Sequence, residues 1–230
     1  MFAHKWLALG LTLGFISGAS QAHAEPLGSH QPSIAASLGP RVSKVASAGF
    51  DPFAGSDDLA QVSVGVSGTL LRLERFSLAA VGFWDYGSRS ATARNSPTSL
   101  DVHRLTAGPE GRYQLLPMLY VFAHALPAFA HAQASLDDGI TQTTFVARHW
   151  SYGVDLALGA AYQVYGMKSG ESTRPRLWLI GEGGYGSLGR TRLLLKPEPG
   201  QGAPERTAPI DLGSLSLAGP YLRLSAAVSL

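Results

Sequence analysis

The sequence contains no cysteine, which excludes a disulfide framework and any thiolate metal site. Charge is scarce as well. Charged residues make up 15% of the chain and the formal net charge is +2, so nothing in the composition points to nucleic acid. Beyond residue 24 no stretch approaches the 18 or so uninterrupted apolar residues of a membrane helix, so a helical membrane protein is excluded. No internal repeat with a period of about 20–50 residues and no low-complexity tract is present.

What is present begins with an export signal. His4 and Lys5 form a short basic region, Trp6 to Ile16 an apolar one, and Ala22-His23-Ala24 the small-x-small pattern of a cleavage site. The expectation is a signal peptide over residues 1–24 and a mature chain of 206 residues (230 − 24) beginning at Glu25. That length suits one domain or one barrel.

The dominant signal in the mature chain is alternation with period two. In Trp150 to Val164, Trp150, Tyr152, Val154, Leu156, Leu158, Ala160, Tyr162 and Val164 fall on one face. Ser151, Gly153, Asp155, Ala157, Gly159, Ala161 and Gln163 fall on the other. Gln61 to Leu70 and Tyr221 to Leu230 follow the same rule. The non-apolar face carries small residues rather than the Lys and Glu of a water-exposed surface, and aromatics cluster near the ends of the apolar face. Both details favour lipid contact.

Eight such segments are legible, at 32–42, 59–71, 76–87, 101–114, 118–134, 147–164, 174–192 and 210–230. Short turns lie near Leu73-Glu74-Arg75, Leu116-Pro117 and Met167 to Arg174. Long loops rich in Gly, Pro, Ser and Asp span 43–58, 88–100, 135–146 and 193–209. Short periplasmic turns alternating with longer external loops are the layout of an outer-membrane barrel. The expected fold is therefore all-β: residues 25–230 form a transmembrane, antiparallel, up-and-down barrel of eight strands. Pro127 in the fifth segment and Gly219-Pro220 in the last are candidate bulge positions.

With the apolar face turned to lipid, the ionisable residues fall mainly inside. Arg41, Asp85, Arg104, Asp155, Glu182 and Arg223 lie near mid-barrel, three basic and three acidic. Antiparallel pairing is expected to place Asp85 near Arg104, Glu182 near Arg223, Arg41 beside Arg223, and Asp155 beside Glu182. Glu110 and Arg112 form a lower pair on the same face. A narrow eight-stranded lumen is only about wide enough for its own side chains, so these charges read as a brace.

Other readings stay open. The layer of charges would also suit the gate of a narrow channel for small solutes. His149-Trp150-Ser151 resembles the His-x-Ser of outer-membrane lipid A deacylases, but Glu182 lies deeper than a third triad member should. A soluble barrel of lipocalin type would need the apolar face to point inward. Gly181 to Gly186 lacks the Lys-Ser/Thr and helix of a phosphate loop. His124 and His131 have no carboxylate spacing that makes a metal site, and no cofactor is expected.

The pattern as a whole resembles small Gram-negative outer-membrane barrels of the OmpA-transmembrane, OmpX and OmpW type, across most of residues 30–230. The resemblance implies an outer-membrane location and a structural or surface-interaction role without catalysis. Outer-membrane lipid, lipopolysaccharide included, and the barrel-assembly machinery are the partners implied. Such proteins usually finish in a strand ending on Phe or Trp, whereas this chain ends on Leu230.

The protein is expected in the outer-membrane fraction, with different gel mobilities before and after boiling. Recovery from the soluble periplasm with one mobility would reverse the inside–outside assignment.

Overall fold

A computed structural model describes residues 31–93, 95–139, 143–166, 175–198 and 208–229. The expected signal peptide lies outside the described residues. Ten strands follow in chain order: β1 (Ile34–Lys44), β2 (Asp58–Leu73), β3 (Phe76–Ala93), β4 (Ser96–Leu116), β5 (Leu119–Asp138), β6 (Thr143–Tyr165), β7 (Arg176–Leu188), β8 (Thr191–Pro197), β9 (Ile210–Leu215) and β10 (Gly219–Ser229). Strands β1 to β7 pair in sequence, β7 pairs with β10, and β10 returns to β1. The result is a closed antiparallel ring of eight. The seam runs from Ala35↔Ser229 to Ser43↔Tyr221.

Period-two alternation places the apolar residues outside. Tyr152, Leu156, Leu158, Tyr162 and Val164 of β6 are exposed, while Asp155, Ala157, Ala161 and Gln163 between them are buried. Leu222 and Leu224 of β10 are 68% and 65% exposed. Leaving a large aliphatic side chain in water forgoes about 1.5–3 kcal/mol, so a belt of them around the ring is matched to hydrocarbon. This polarity rules out the lipocalin-type arrangement, in which the apolar face would line a ligand cavity.

At the end expected to face the periplasm the turns are tight, with Leu73↔Phe76 and Leu116↔Leu119 closing two of them. Glu74 takes a left-handed conformation at φ 43 to make the first. Pro127 does not shift the phase of β5. Tyr120, Phe122, His124, Leu126, Ala128 and Ala130 stay buried in unbroken alternation. The disturbance is confined to the β4–β5 ladder, where pairing stops at Thr106↔Ala128 and resumes at Glu110↔His124. Pro109 and Pro127 stand in that gap, and neither has an N–H to donate.

Two expected loops are largely strand among the described residues. The 88–100 region continues β3 and β4 with Ser90↔Ser99 and Ala91↔Thr98 paired. The 135–146 region continues β5 and β6 with Ser135↔Val146 and Leu136↔Phe145 paired. These stretches rise above the lipid, so water rather than hydrocarbon meets the outer face and alternation fades while pairing continues. The seventh segment also differs. It breaks after Leu188, and β8, which begins at the end of that segment and runs into the expected 193–209 loop, leaves the wall. It touches β6 through Phe145↔Pro197 and Val146↔Lys196 and pairs with β9. The last segment divides accordingly into β9 and β10.

The interior is layered. At the outer mouth, Phe50, Phe53, Leu100, Leu193, Leu195 and Leu215 form an apolar cluster. The β8–β9 hairpin and the segment after β1 supply much of it, and they are tied together. Ser47 Oγ donates to the Ser214 carbonyl at 2.9 Å and accepts from Ser216 N at 3.0 Å. The charged residues lie below. Toward the periplasm Tyr120, Phe122, Trp178, Ala161 and Ala227 make a second apolar cluster. There Trp178 Nε1 donates to Ser229 Oγ at 3.0 Å.

Truncating Trp178, which is fully buried, removes both a large packed ring and that tie to the last strand. Trp178→Ala is expected to cost about 3–5 kcal/mol, read as a lower urea midpoint for unfolding in detergent micelles.

Candidate functional site

The charged layer is a single chain of alternating sign. Arg104 pairs with Asp155, and Asp155 Oδ2 accepts from Arg41 Nη1 at 3.0 Å. The same Arg41 nitrogen donates to Asp85 Oδ2 at 2.7 Å. Asp85 accepts in turn from Arg223 Nη2 at 3.1 and 3.2 Å, and Arg223 Nη1 reaches Glu182 Oε1 at 2.7 Å. All six side chains are buried. Tyr221 and Phe83 sandwich the two central cations, with Arg41 3.8 Å from the Tyr221 ring centroid and Arg223 4.0 Å from that of Phe83.

The strands bring these residues together in a way that register alone only partly indicates. Glu182 is the register partner of Arg223, and Arg41 that of Arg223. Asp85 is the register partner of Arg104, yet its carboxylate turns to Arg41 and Arg223 instead. Arg104 reaches over β5 to Asp155 on β6. Asp155 does not sit beside Glu182, because Asp155 lies opposite Gly186 and Glu182 opposite Gly159. A curved wall of small radius points inward side chains across the lumen rather than along the sheet, so partners two or more strands apart compete with neighbours.

The seam shows why Asp85 matters. Arg41 and Arg223 are directly opposed across it, and like charges in that relation are destabilising. Asp85, from β3, accepts from both and so ties β1 to β10.

Lower in the lumen, Arg112 Nε donates to Glu110 Oε1 at 2.7 Å. His124, one of the two histidines set aside in the metal reading, joins them with Nδ1 3.1 Å from Glu110 Oε2. The signal for it was its register, since His124 faces Glu110 directly. Between this group and the periplasmic cluster is a cavity of about 30 Å³, lined by Glu110, Arg112, Tyr120, Trp178 and Glu182 among others. That is room for a water molecule or two. Among the described residues no three His, Cys, Asp or Glu side chains converge as metal ligands.

His149 and Ser151 line a small crevice with Thr191, Leu193 and Leu215 at the base of the hairpin. Glu182, on β7, pairs with Gly159, well down β6 from both residues, so the third member of a triad is not supplied by that residue. Sequence reading missed the apolar seal above. Its trace is Leu193, Leu195, Leu215 and Leu217 at alternate positions in segments otherwise rich in turn residues. Outside the membrane the hairpin carries its own ion pair. Arg192 donates to Asp211 Oδ2 at 3.0 and 2.5 Å, and Gly213 N donates to Oδ1 at 3.0 Å. The Arg192 hydrogen bonds, then that of Gly213, hold the Asp211 carboxyl below its ordinary range.

A closed ring of eight strands, an apolar outer belt and a polar lumen with neutralised charge define a transmembrane β-barrel of the bacterial outer membrane. No family model and no curated protein matches the sequence. Among solved structures, the chain is similar to Ail, the attachment invasion locus protein of Yersinia pestis, with 9% identity, a TM-score of 0.47, and coverage of 87% of this chain and 99% of that one. It is also similar to Neisserial surface protein A, with 13% identity, a TM-score of 0.40, and coverage of 85% and 95%. The assignment of class rests on the ring and its belt.

Breaking a buried ion pair from one side costs about 3–5 kcal/mol. Asp85→Asn strips both seam arginines of a shared partner and is expected to fall in that range. Glu182→Gln leaves Arg223 bound to Asp85 and is expected to cost less. Denaturant midpoints in micelles check the order, and equal midpoints would remove Asp85 as the seam's tie.

Proposed function

We propose that the protein is a non-conducting outer-membrane barrel with a structural or surface-interaction role, its lumen braced by the neutral layer of ion pairs. The observation that carries the reading is the filling of the lumen from end to end. The outer apolar cluster, the Arg104–Asp155–Arg41–Asp85–Arg223–Glu182 chain and the periplasmic aromatic cluster follow one another along the axis. An eight-stranded barrel has little room beyond its own side chains.

Two further features support it. The outer parts of β3 to β6 stay paired above the lipid belt, which gives an ordered external surface rather than loose loops. The His149 and Ser151 side chains have no carboxylate partner among the described residues that would orient the imidazole as a base. The gated-channel reading requires both apolar clusters to part, not only the ion pairs.

Purified protein in liposomes is expected to give solute-swelling rates equal to protein-free controls. Arg223→Ala and Glu182→Ala should leave them unchanged, because the apolar clusters remain. Swelling well above controls for the unmodified protein would overturn the non-conducting reading.

A further inference from the structure

The outward faces of β3 to β6 change character abruptly near their outer ends. One row across these strands reads Trp84, Leu105, Phe129 and Tyr152, each the register partner of the next. The next row outward reads Tyr86, His103, His131 and Trp150, and the one beyond it Ser88, Asp101, Gln133 and Arg148. Within two steps the wall passes from apolar to aromatic–imidazole to fully polar. Amphipathic rings in such a position mark the head-group level of a membrane. On the opposite wall, the outer ends of β10, β1 and β2 place Leu222, Val42 and Ala60 in one row. One step further out on β1 and β2, that wall passes directly to an exposed Lys44–Asp58 ion pair at 3.0 Å, without a row of rings between.

The middle row is a continuous strip of rings. Centroids are 4.8 Å apart for Tyr86 and His103, 6.5 Å for His103 and His131, and 4.9 Å for His131 and Trp150. It borders a concavity of about 400 Å³ lined by Trp84, Tyr86, Asp101, His103, His131 and Gln133. Polar groups at its rim are already oriented. Tyr86 Oη donates to Asp101 Oδ1 at 3.2 Å, and Arg148 Nε donates to Gln133 Oε1 at 3.2 Å. A plain aromatic belt uses Trp and Tyr. It needs neither two adjacent imidazoles nor an Asp and an Arg beside them.

We propose that this concavity holds the sugar–phosphate head group of a lipopolysaccharide molecule in the outer leaflet. The inference rests on the outer-membrane reading and adds to it a specific lipid contact. The faces of Trp84, Tyr86 and Trp150 offer apolar surface to the C–H faces of sugar rings. Imidazole N–H groups of His103 and His131, and the guanidinium of Arg148, donate to phosphate oxygens. Asp101 accepts from a sugar hydroxyl. A phospholipid head group without sugar rings engages only part of this set. Leu105, Phe129 and Tyr152 in the row beneath receive the acyl chains.

The test is native mass spectrometry of the full mature chain in detergent micelles, titrated separately with a short-sugar lipopolysaccharide and with phosphatidylglycerol. Lipopolysaccharide is expected to bind about tenfold more tightly than phosphatidylglycerol, a difference of about 1.4 kcal/mol. His103→Ala/His131→Ala should remove that preference, while Leu222→Ala on the opposite wall should keep it. If the double variant loses the gel shift of a folded barrel, Arg148→Gln supplies the same comparison. Equal affinity for the two lipids, or an undiminished preference in the folded variants, overturns the head-group site. Membrane fractionation is read independently, so protein found in the outer membrane with no lipid preference removes this proposal alone. Protein found in the periplasm removes the reading beneath it.

Discussion

Two arginines face each other where the chain closes on itself, and the barrel depends on what lies between them. In hydrocarbon an open sheet edge leaves backbone groups without partners, so β1 and β10 must meet. Their meeting opposes Arg41 and Arg223. Asp85 of β3 accepts from both, at 2.7 Å from Arg41 and 3.1 Å from Arg223. Asp155 also accepts from Arg41, Glu182 from Arg223, and Arg104 pairs with Asp155 to complete the count. The seam is therefore held by backbone pairing outside and by a carboxylate from a strand two places away inside.

The rest of the interior follows from the small radius of an eight-stranded ring. Large side chains cannot be accommodated at every inward position, so the wall alternates bulk with alanine and glycine. Gly184 lies against the Tyr221 ring, and a Cβ there would approach Cε1 and Cζ to 2.8 Å. Tyr221 in turn carries the Arg41 guanidinium on its face. A methyl group at residue 184 would meet the Leu156 backbone carbonyl first and that ring next, so it would strain the β6–β7 pairing as well as the seat of the central cation. Apolar clusters lie above and below the charges, and buried ion pairs in such surroundings are intolerant of a missing partner.

Fold class was legible in the sequence because lipid imposes a sharp rule on outward positions. Trp150 to Val164 states it without interruption, and the phase it sets assigns Asp155 and Gln163 to the lumen. Legibility ended where the rule stops applying. Above the lipid, Ser88 to Ala93, Ser96 to Thr98, Ser135 to Asp138 and Thr143 to Phe145 meet water outside, so strands there looked like loops. The excursion through β8 and β9 was hidden for a related reason. Its leucines alternate, but toward an internal seal rather than toward lipid. Inward residues could be sorted from outward ones, and their partners only in part: Glu182 with Arg223 and Glu110 with Arg112 were legible and are paired. Asp85 had Arg104 as its register neighbour and bonded across the lumen instead, a choice made by curvature and packing. His124 was visible as a residue and obscure as a partner of Glu110 until the register of β4 and β5 was fixed.

The layered lumen has an electrical consequence. Arg41, Arg104, Arg112 and Arg223 are balanced by Asp85, Glu110, Asp155 and Glu182 within the buried interior. A charge displaced across a membrane potential exchanges about 2.3 kcal/mol per 100 mV, and that work scales with the net charge that moves. Paired charges pinned on facing walls contribute almost none. Among the described buried charges, a potential across the outer membrane therefore has almost no net charge to move.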